Sequence, residues 1–185
     1  MDRVESIQHQ FSTNAGSYRT SKYHSKAPDL DALREAAQLK GSERVLDLGT
    51  GTGHTALAVA PGAEHVVGID LTTQMLEQAH QLAQERQITN VTFEEGDAQQ
   101  LAYADDSFDV VTCRVCAHHF ADPAAAVREA TRVLRPGGCV LWVDSVAPED
   151  PAQDTFLNSI ELLRDPSHVR DFSISQWQAM FAEAG

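Results

Sequence analysis

The sequence is poor in cysteine and in basic residues, and it has no long apolar run. No stretch approaches the ~20 apolar residues that a membrane span needs, so no membrane-spanning helix is expected. The opening Met1-Asp2-Arg3-Val4-Glu5 lacks the apolar centre of a secretory signal, and the expectation is a cytoplasmic protein. Lysine and arginine number 14 against 27 aspartates and glutamates, a formal net charge of −13. That field repels phosphate backbones, so nucleic acid is not an expected partner. Arg19, Lys22 and Lys26 are a local exception, three nearby cations that either attract a small anion or form a solvated face. The three cysteines, Cys113, Cys116 and Cys139, are an odd set that fits reduced thiols. Cys113-x-x-Cys116 ahead of His118 and His119 invites a zinc reading. Structural zinc takes four ligands, however, and no second Cys or His pair follows. No metal is expected, and buried, unreactive thiols are the favoured reading.

The 185 residues, 42% of them apolar, suffice for one domain with a substantial core and fall short of two. Residues 1–28 show no strand alternation and are read as an N-terminal lid. Residues 29–39 carry apolar positions at helical spacing, with Gly41 as the break. From Arg44 onward short apolar runs alternate with helical ones. The strand-like runs are Val45 to Leu48, His65 to Asp70, Val91 to Phe93, Phe108 to Cys113 and Cys139 to Val143. Between them lie helical runs from Thr55 to Ala60, Thr72 to Arg86 and Ala124 to Leu134. This alternation predicts a parallel sheet with helices on both faces, a doubly wound, Rossmann-like α/β sandwich. Residues 29–147 form the predicted cofactor-binding core. Residues 148–185 are read as a helical, substrate-side segment, with helices starting at Asp150-Pro151 and at a capping Ser175.

In an open α/β sheet the ligand sits beyond the carboxyl ends of the strands. The first strand leads into Asp47-Leu48-Gly49-Thr50-Gly51-Thr52-Gly53. Glycines there permit positive φ and close approach of a ligand. The dinucleotide fingerprint is G-x-G-x-x-G, whereas here the spacing is G-x-G-x-G and His54 stands at the third glycine's place. Asp47 ahead of the turn suits an amino group or a cation better than a pyrophosphate. Asp70 ends the second strand, where a carboxylate either accepts both ribose hydroxyls or caps the following helix. Asp97, in Gly96-Asp97-Ala98, either accepts from an adenine amino group or closes an Asx-turn.

These residues carry a resemblance. Val45 to Gly53, Asp70 before Met75-Leu76, Gly96-Asp97-Ala98, Phe108 to Val111, Arg135-Pro136-Gly137-Gly138 and His118-His119-Phe120 resemble the class I S-adenosylmethionine-dependent methyltransferases. They are most similar to the small-molecule branch that includes the ubiquinone and menaquinone biosynthesis enzymes. The resemblance runs from about Phe11 to the C-terminus, and the glycine turn is its most specific part. It implies that S-adenosylmethionine binds with Gly49, Thr50, Gly51 and Gly53 along its methionine portion, and that S-adenosylhomocysteine is the product. Asp70 would hold the ribose, Asp97 with Ala98 the adenine, and Leu71 and Met75 would pack on the nucleoside. Tyr18 is the lid aromatic expected to touch the ligand, with Ser21 and His24 nearby. The family sheet has seven strands, which implies two more beyond Gly185 and a fifth strand whose open edge favours a homodimer.

Methyl transfer from a sulfonium needs alignment and exclusion of water rather than a covalent intermediate. A base is required only where the acceptor loses a proton. His118 and His119 are the candidates for that role. Arg114 is expected to pair with the cofactor carboxylate, with an acidic acceptor, or with Asp122 or Glu129. A small-molecule acceptor is the expected partner. A non-catalytic cofactor-binding module and a protein methyltransferase stay open at this point.

Overall fold

The computed structural model describes residues 3–21, 24, 25 and 27–185, with side chains from Gln8 onward. Lys22 and Lys26 lie outside the described residues. The sheet has five strands, β1 (Arg44–Leu48), β2 (His65–Asp70), β3 (Val91–Glu95), β4 (Phe108–Arg114) and β5 (Leu134–Val143), in the order β3-β2-β1-β4-β5. Each neighbouring pair is parallel, with β1 central between β2 and β4. Alternate residues feed opposite faces. Val45, Val66 and Val110 join one core with Leu57 and Leu76, while Leu46, Val67 and Val111 join the other with Val127 and Trp177. β1, β2 and β4 are buried on both sides, which explains why they read as continuous apolar runs, while the edge strands β3 and β5 are partly exposed.

The helices are α1 (Arg3–Thr20), α2 (Pro28–Ala36), α3 (His54–Val59), α4 (Thr73–Glu85), α5 (Pro123–Val133), α6 (Pro151–Arg164) and α7 (Ile174–Ala184). α2, α3 and α4 supply one face, α5 and α7 the other. The connections from β1 run outward through β2 to β3, then return to β4 beside β1. The switch point therefore falls between the carboxyl ends of β1 and β4, where the glycine turn and the segment after Arg114 meet.

Three features depart from the sequence reading. α1 is a helix with Ala15 buried, and it lies along α4. Gln8 Nε2 donates to the Leu71 carbonyl at 2.8 Å, and Arg19 pairs with Glu85. The cap of α7 is Ser173, not Ser175. The Ser173 hydroxyl and the Gln176 side chain bond reciprocally to each other's main-chain N–H groups, while Ser175 binds Glu149 instead. Finally, α7 packs in the core layer against α5, so of residues 148–185 only α6 and the loop after it border the cleft.

Candidate functional site

The turn after β1 is fixed by its own main chain. Gly49, Gly51 and Gly53 have φ of 58°, 53° and 82°, a region open to glycine at little cost. A Cβ on Gly51 would meet nothing within 4 Å, whereas one on Gly49 would lie 2.6 Å from Cys116 Sγ. Gly51 therefore faces open space and Gly49 is pressed against the segment after β4. Asp70 ties the two strand ends together. Its Oδ2 accepts the Gly51 N–H and its Oδ1 the Thr72 N–H, both at 2.9 Å. A carboxylate has about four lone-pair sites, so two remain for a ligand. Burial pushes the Asp70 pKa up against the lowering effect of those two N–H groups.

Asp47 corrects an expectation. It is 1% exposed and lies behind the turn, with Thr112 and Thr50 hydroxyls each donating to it at 2.6 Å. No wall of the cleft includes it, so it shapes the turn rather than touching a ligand. Burial raises its pKa to about 6, against the hydrogen bonds from Thr112 and Thr50. Because the folded state then binds a proton that the unfolded chain releases, this group's stability contribution is present at acid pH. It falls away as pH rises from about 4 to above 6. Asp47→Asn should flatten that loss, making the variant more stable relative to the parent at pH 7.5 than at pH 4 by about 3 kcal/mol at most. Urea unfolding of both proteins at the two pH values checks this, and an unchanged difference refutes it.

Two recesses meet at this turn, and a third cavity shares residues with them. The first is lined by Gly49, Gly51, Asp70, Met75, Arg114 and Tyr18. The second, on the other side of Asp70, is lined by Leu71, Gly96, Asp97, Ala98, Gln99 and Phe120. The third is a cavity of about 600 Å³ between α1, the ends of β4 and β5, and α6. His119 borders all three, and Tyr18 and His24 border the first and third. Ser21 lines none of them. Asp97 closes an Asx-turn by accepting the Gln99 N–H at 2.8 Å, yet its residue stays on the wall of the second recess.

Arg114 is 7% exposed and pairs with Asp29 at 2.6 Å, not with Asp122 or Glu129. Asp122 instead caps α5, and Glu129 pairs with Arg132. The Arg114 guanidinium also donates to the His24 carbonyl at 3.2 Å, and its buried Nη2 has no partner among the described residues. Asp29 is held below its usual pKa because the Arg114 pairing outweighs burial. Burial, with the Arg114 charge, pushes His24 down to about 4. Tyr18 is pushed up, mainly by burial. Its ring contacts Phe11 at 5.6 Å between centroids, and Phe11 in turn stands edge-on to His119 at 4.9 Å.

Cys113 and Cys116 lie with their sulfurs 3.3 Å apart, and Cys116 donates to the Leu48 carbonyl. Burial, reinforced by Cys116, pushes the Cys113 thiol well up. Among the described residues the three groups with ligand atoms within 4.8 Å of one another are His118, Asp144 and Asp171, without either cysteine. Asp144 was not singled out in the sequence. The signal was present, because Trp142-Val143-Asp144 is another apolar strand ending in a carboxylate at the carboxyl edge of the sheet.

A parallel sheet with a glycine turn and strand-end carboxylates at its switch point defines an α/β protein with its ligand cleft at the carboxyl ends of the strands. Residues 39–185 match the family model described as "Methyltransferase domain", and the chain belongs to the class I S-adenosylmethionine-dependent methyltransferases. It is 49% identical over 172 residues to the uncharacterized methyltransferase YcgJ of Bacillus subtilis, covering 93% of this chain and 68% of that protein. The crystal structure of that relative superposes with a TM-score of 0.83 over 84% of this chain and 67% of the other. A demethylmenaquinone methyltransferase of Deinococcus radiodurans is 38% identical over 154 residues, 80% of this chain and 63% of that protein. The chain thus spans about two thirds of the length of the relatives it matches.

Proposed function

We propose that this chain transfers a methyl group from S-adenosylmethionine to a small-molecule acceptor in the 600 Å³ cavity. The observation that carries this reading is the adjacency of the three recesses, which share His119 as a wall residue. Two features fit the cofactor. The Arg114 Nη2, without a partner among the described residues, suits its carboxylate, and Gly51 leaves room for the methionine portion beside the turn. Gly49 and Thr50 complete that wall, whereas Gly53, expected beside them, is packed inward against Phe93 and Ala79 and only shapes the turn. Asp70 takes the ribose, Leu71 and Met75 pack on the nucleoside, and Asp97 and Ala98 meet the adenine. Tyr18 covers the junction with the acceptor cavity, the role expected of a lid. The bound cofactor supplies an electrophilic methyl on a sulfonium. The chain's own work is to align the acceptor and to keep water out. A cavity of this size is in the range of small-molecule sites, which favours such an acceptor over a protein segment. The demethylmenaquinone relative points the same way.

Calorimetric titration with S-adenosylhomocysteine, with NADH as control, tests the cofactor assignment. Saturable binding of S-adenosylhomocysteine alone is expected. Binding of NADH in its place, or of neither by a folded sample, would overturn it.

A further inference from the structure

Two histidines adjacent in sequence are held by different partners. His118 Nδ1 lies 2.6 Å from Asp144 Oδ1, and the His118 main-chain N–H donates to Asp144 Oδ2 at 3.0 Å. Asp144 is itself fixed by the Ser145 N–H at 2.8 Å, and its side chain is 2% exposed. His119 Nδ1 faces the Ser167 carbonyl at 3.1 Å instead. A carbonyl only accepts, and so does a carboxylate in its ionised form, so each Nδ1 carries the proton and each Nε2 is left as an acceptor. Both histidines line the large cavity.

We propose that His118 is the general base of the reaction, with Asp144 as the residue that positions it. The acceptor is then a neutral molecule bearing a phenol- or enol-type hydroxyl. This rests on the methyltransferase reading above. The geometry distinguishes the two rings. Only His118 has a carboxylate behind it, which holds the ring, selects the tautomer and stabilises the imidazolium once a proton has been taken. Their centroids are 4.1 Å apart, so a charge on one disfavours a charge on the other. Burial alone lowers the His118 pKa, but Asp144, aided by the charges of Asp171 and Asp165, more than reverses this and raises it. His119 is pushed down to about 4 by burial and by the His118 charge. His168 stacks on His118 at 5.5 Å between centroids and is also lowered, mainly by burial. Neighbouring groups whose pKa values are driven apart in this way divide into a base and a neutral hydrogen-bonding partner.

The charge of the cavity selects the acceptor. Asp144, Glu161, Asp165 and Asp171 line it, and the nearby cation Arg164 is paired with Glu161. This field disfavours phosphorylated or carboxylated acceptors. Phe11 and Tyr18 offer aromatic faces to a ring. In the step itself the acceptor oxygen forms its bond to the methyl carbon while the carbon–sulfur bond breaks, that electron pair staying on sulfur. The O–H proton goes to His118 Nε2, and from the imidazolium to water.

Histidine NMR titration tests this without relying on turnover. In the parent protein His118 should titrate above 6.5 with its proton on Nδ1, and His119 at about 4. In Asp144→Asn the His118 midpoint should fall by roughly one unit or more, while S-adenosylhomocysteine binding stays within twofold. A His118 midpoint unmoved in Asp144→Asn, or a proton on Nε2 in the parent, overturns the base assignment. So does broadening of His118 by micromolar Mn²⁺, which would put a cation on His118, Asp144 and Asp171. Catechol, compared with benzoate, probes the acceptor class. Shifts of His118 signals by catechol alone support it, and equal shifts by benzoate or none by either overturn it. Loss of S-adenosylhomocysteine binding in the parent would instead sink the cofactor reading and leave the histidine titration standing.

Discussion

Asp70→Ala is expected to weaken S-adenosylhomocysteine binding on the order of 100-fold while changing folding stability by no more than about 1 kcal/mol. The two effects separate because Asp70 does two kinds of work. In the free protein it accepts from Gly51 and Thr72, which stabilises the turn, but burial opposes its charge and raises its pKa. Those contributions offset one another when the carboxylate is removed. With ligand present, its remaining lone pairs face the junction of the first two recesses, and charge-assisted bonds to two ribose hydroxyls have nothing to replace them. Asp70→Asn keeps the shape but turns one acceptor into a donor, so an intermediate loss of about tenfold is expected. His118→Ala is the matching control, since His118 borders the acceptor cavity and neither of the other recesses. Calorimetry on the three variants, with urea unfolding alongside, checks the set. Parent-like affinity in Asp70→Ala would show that the ribose lies elsewhere.

What could be read from the sequence was whatever depends on neighbours in the chain. The parallel sheet followed from apolar runs such as Val110-Val111, and the turn from Gly49, Gly51 and Gly53, because strand burial and positive φ leave marks within a few residues. The partners of the site residues left no such mark. Arg114 finds Asp29 85 positions away, and His118 finds Asp144 26 positions away. His118 and Asp144 are joined by the crossover from β4 to β5, and Arg114 meets Asp29 where the start of α2 packs on the end of β4, whereas the carboxylates nearer to Arg114 in the chain are Asp122 and Glu129. α1 was missed for a related reason. Among the described side chains, Phe11, Ala15 and Tyr18 mark its inner face in a polar stretch, and that face finds its partners on α4 and the cleft rather than in the main core. Asp144, by contrast, followed the same rule that singled out Asp70 and Asp97, applied one strand further along.

Gly49→Ala is the other substitution with a large expected effect, because two independent costs fall on one methyl group. Its φ of 58° disfavours any side chain by about 1–2 kcal/mol. The added Cβ would also stand 2.6 Å from Cys116 Sγ and 2.9 Å from Cys116 Cβ. Cys116 has little room to yield, since its sulfur is tied to Leu48 and Cys113 and it follows Val115, itself at a φ of 53°. Overpacking of this kind costs about 1–3 kcal/mol. The sum, roughly 3 kcal/mol, should lower Tm by about 6–12 °C for a chain of this size. The displacement would also carry the segment holding His118 and His119 away from the turn, so affinity for S-adenosylhomocysteine should fall together with stability, unlike in Asp70→Ala. A double-mutant cycle isolates the contact. Cys116→Gly removes the atoms that Gly49→Ala strikes but leaves the φ penalty, so the double variant should regain about half of the lost stability. If the two substitutions simply add, the Gly49 contact with Cys116 is not what holds the glycine turn against β4.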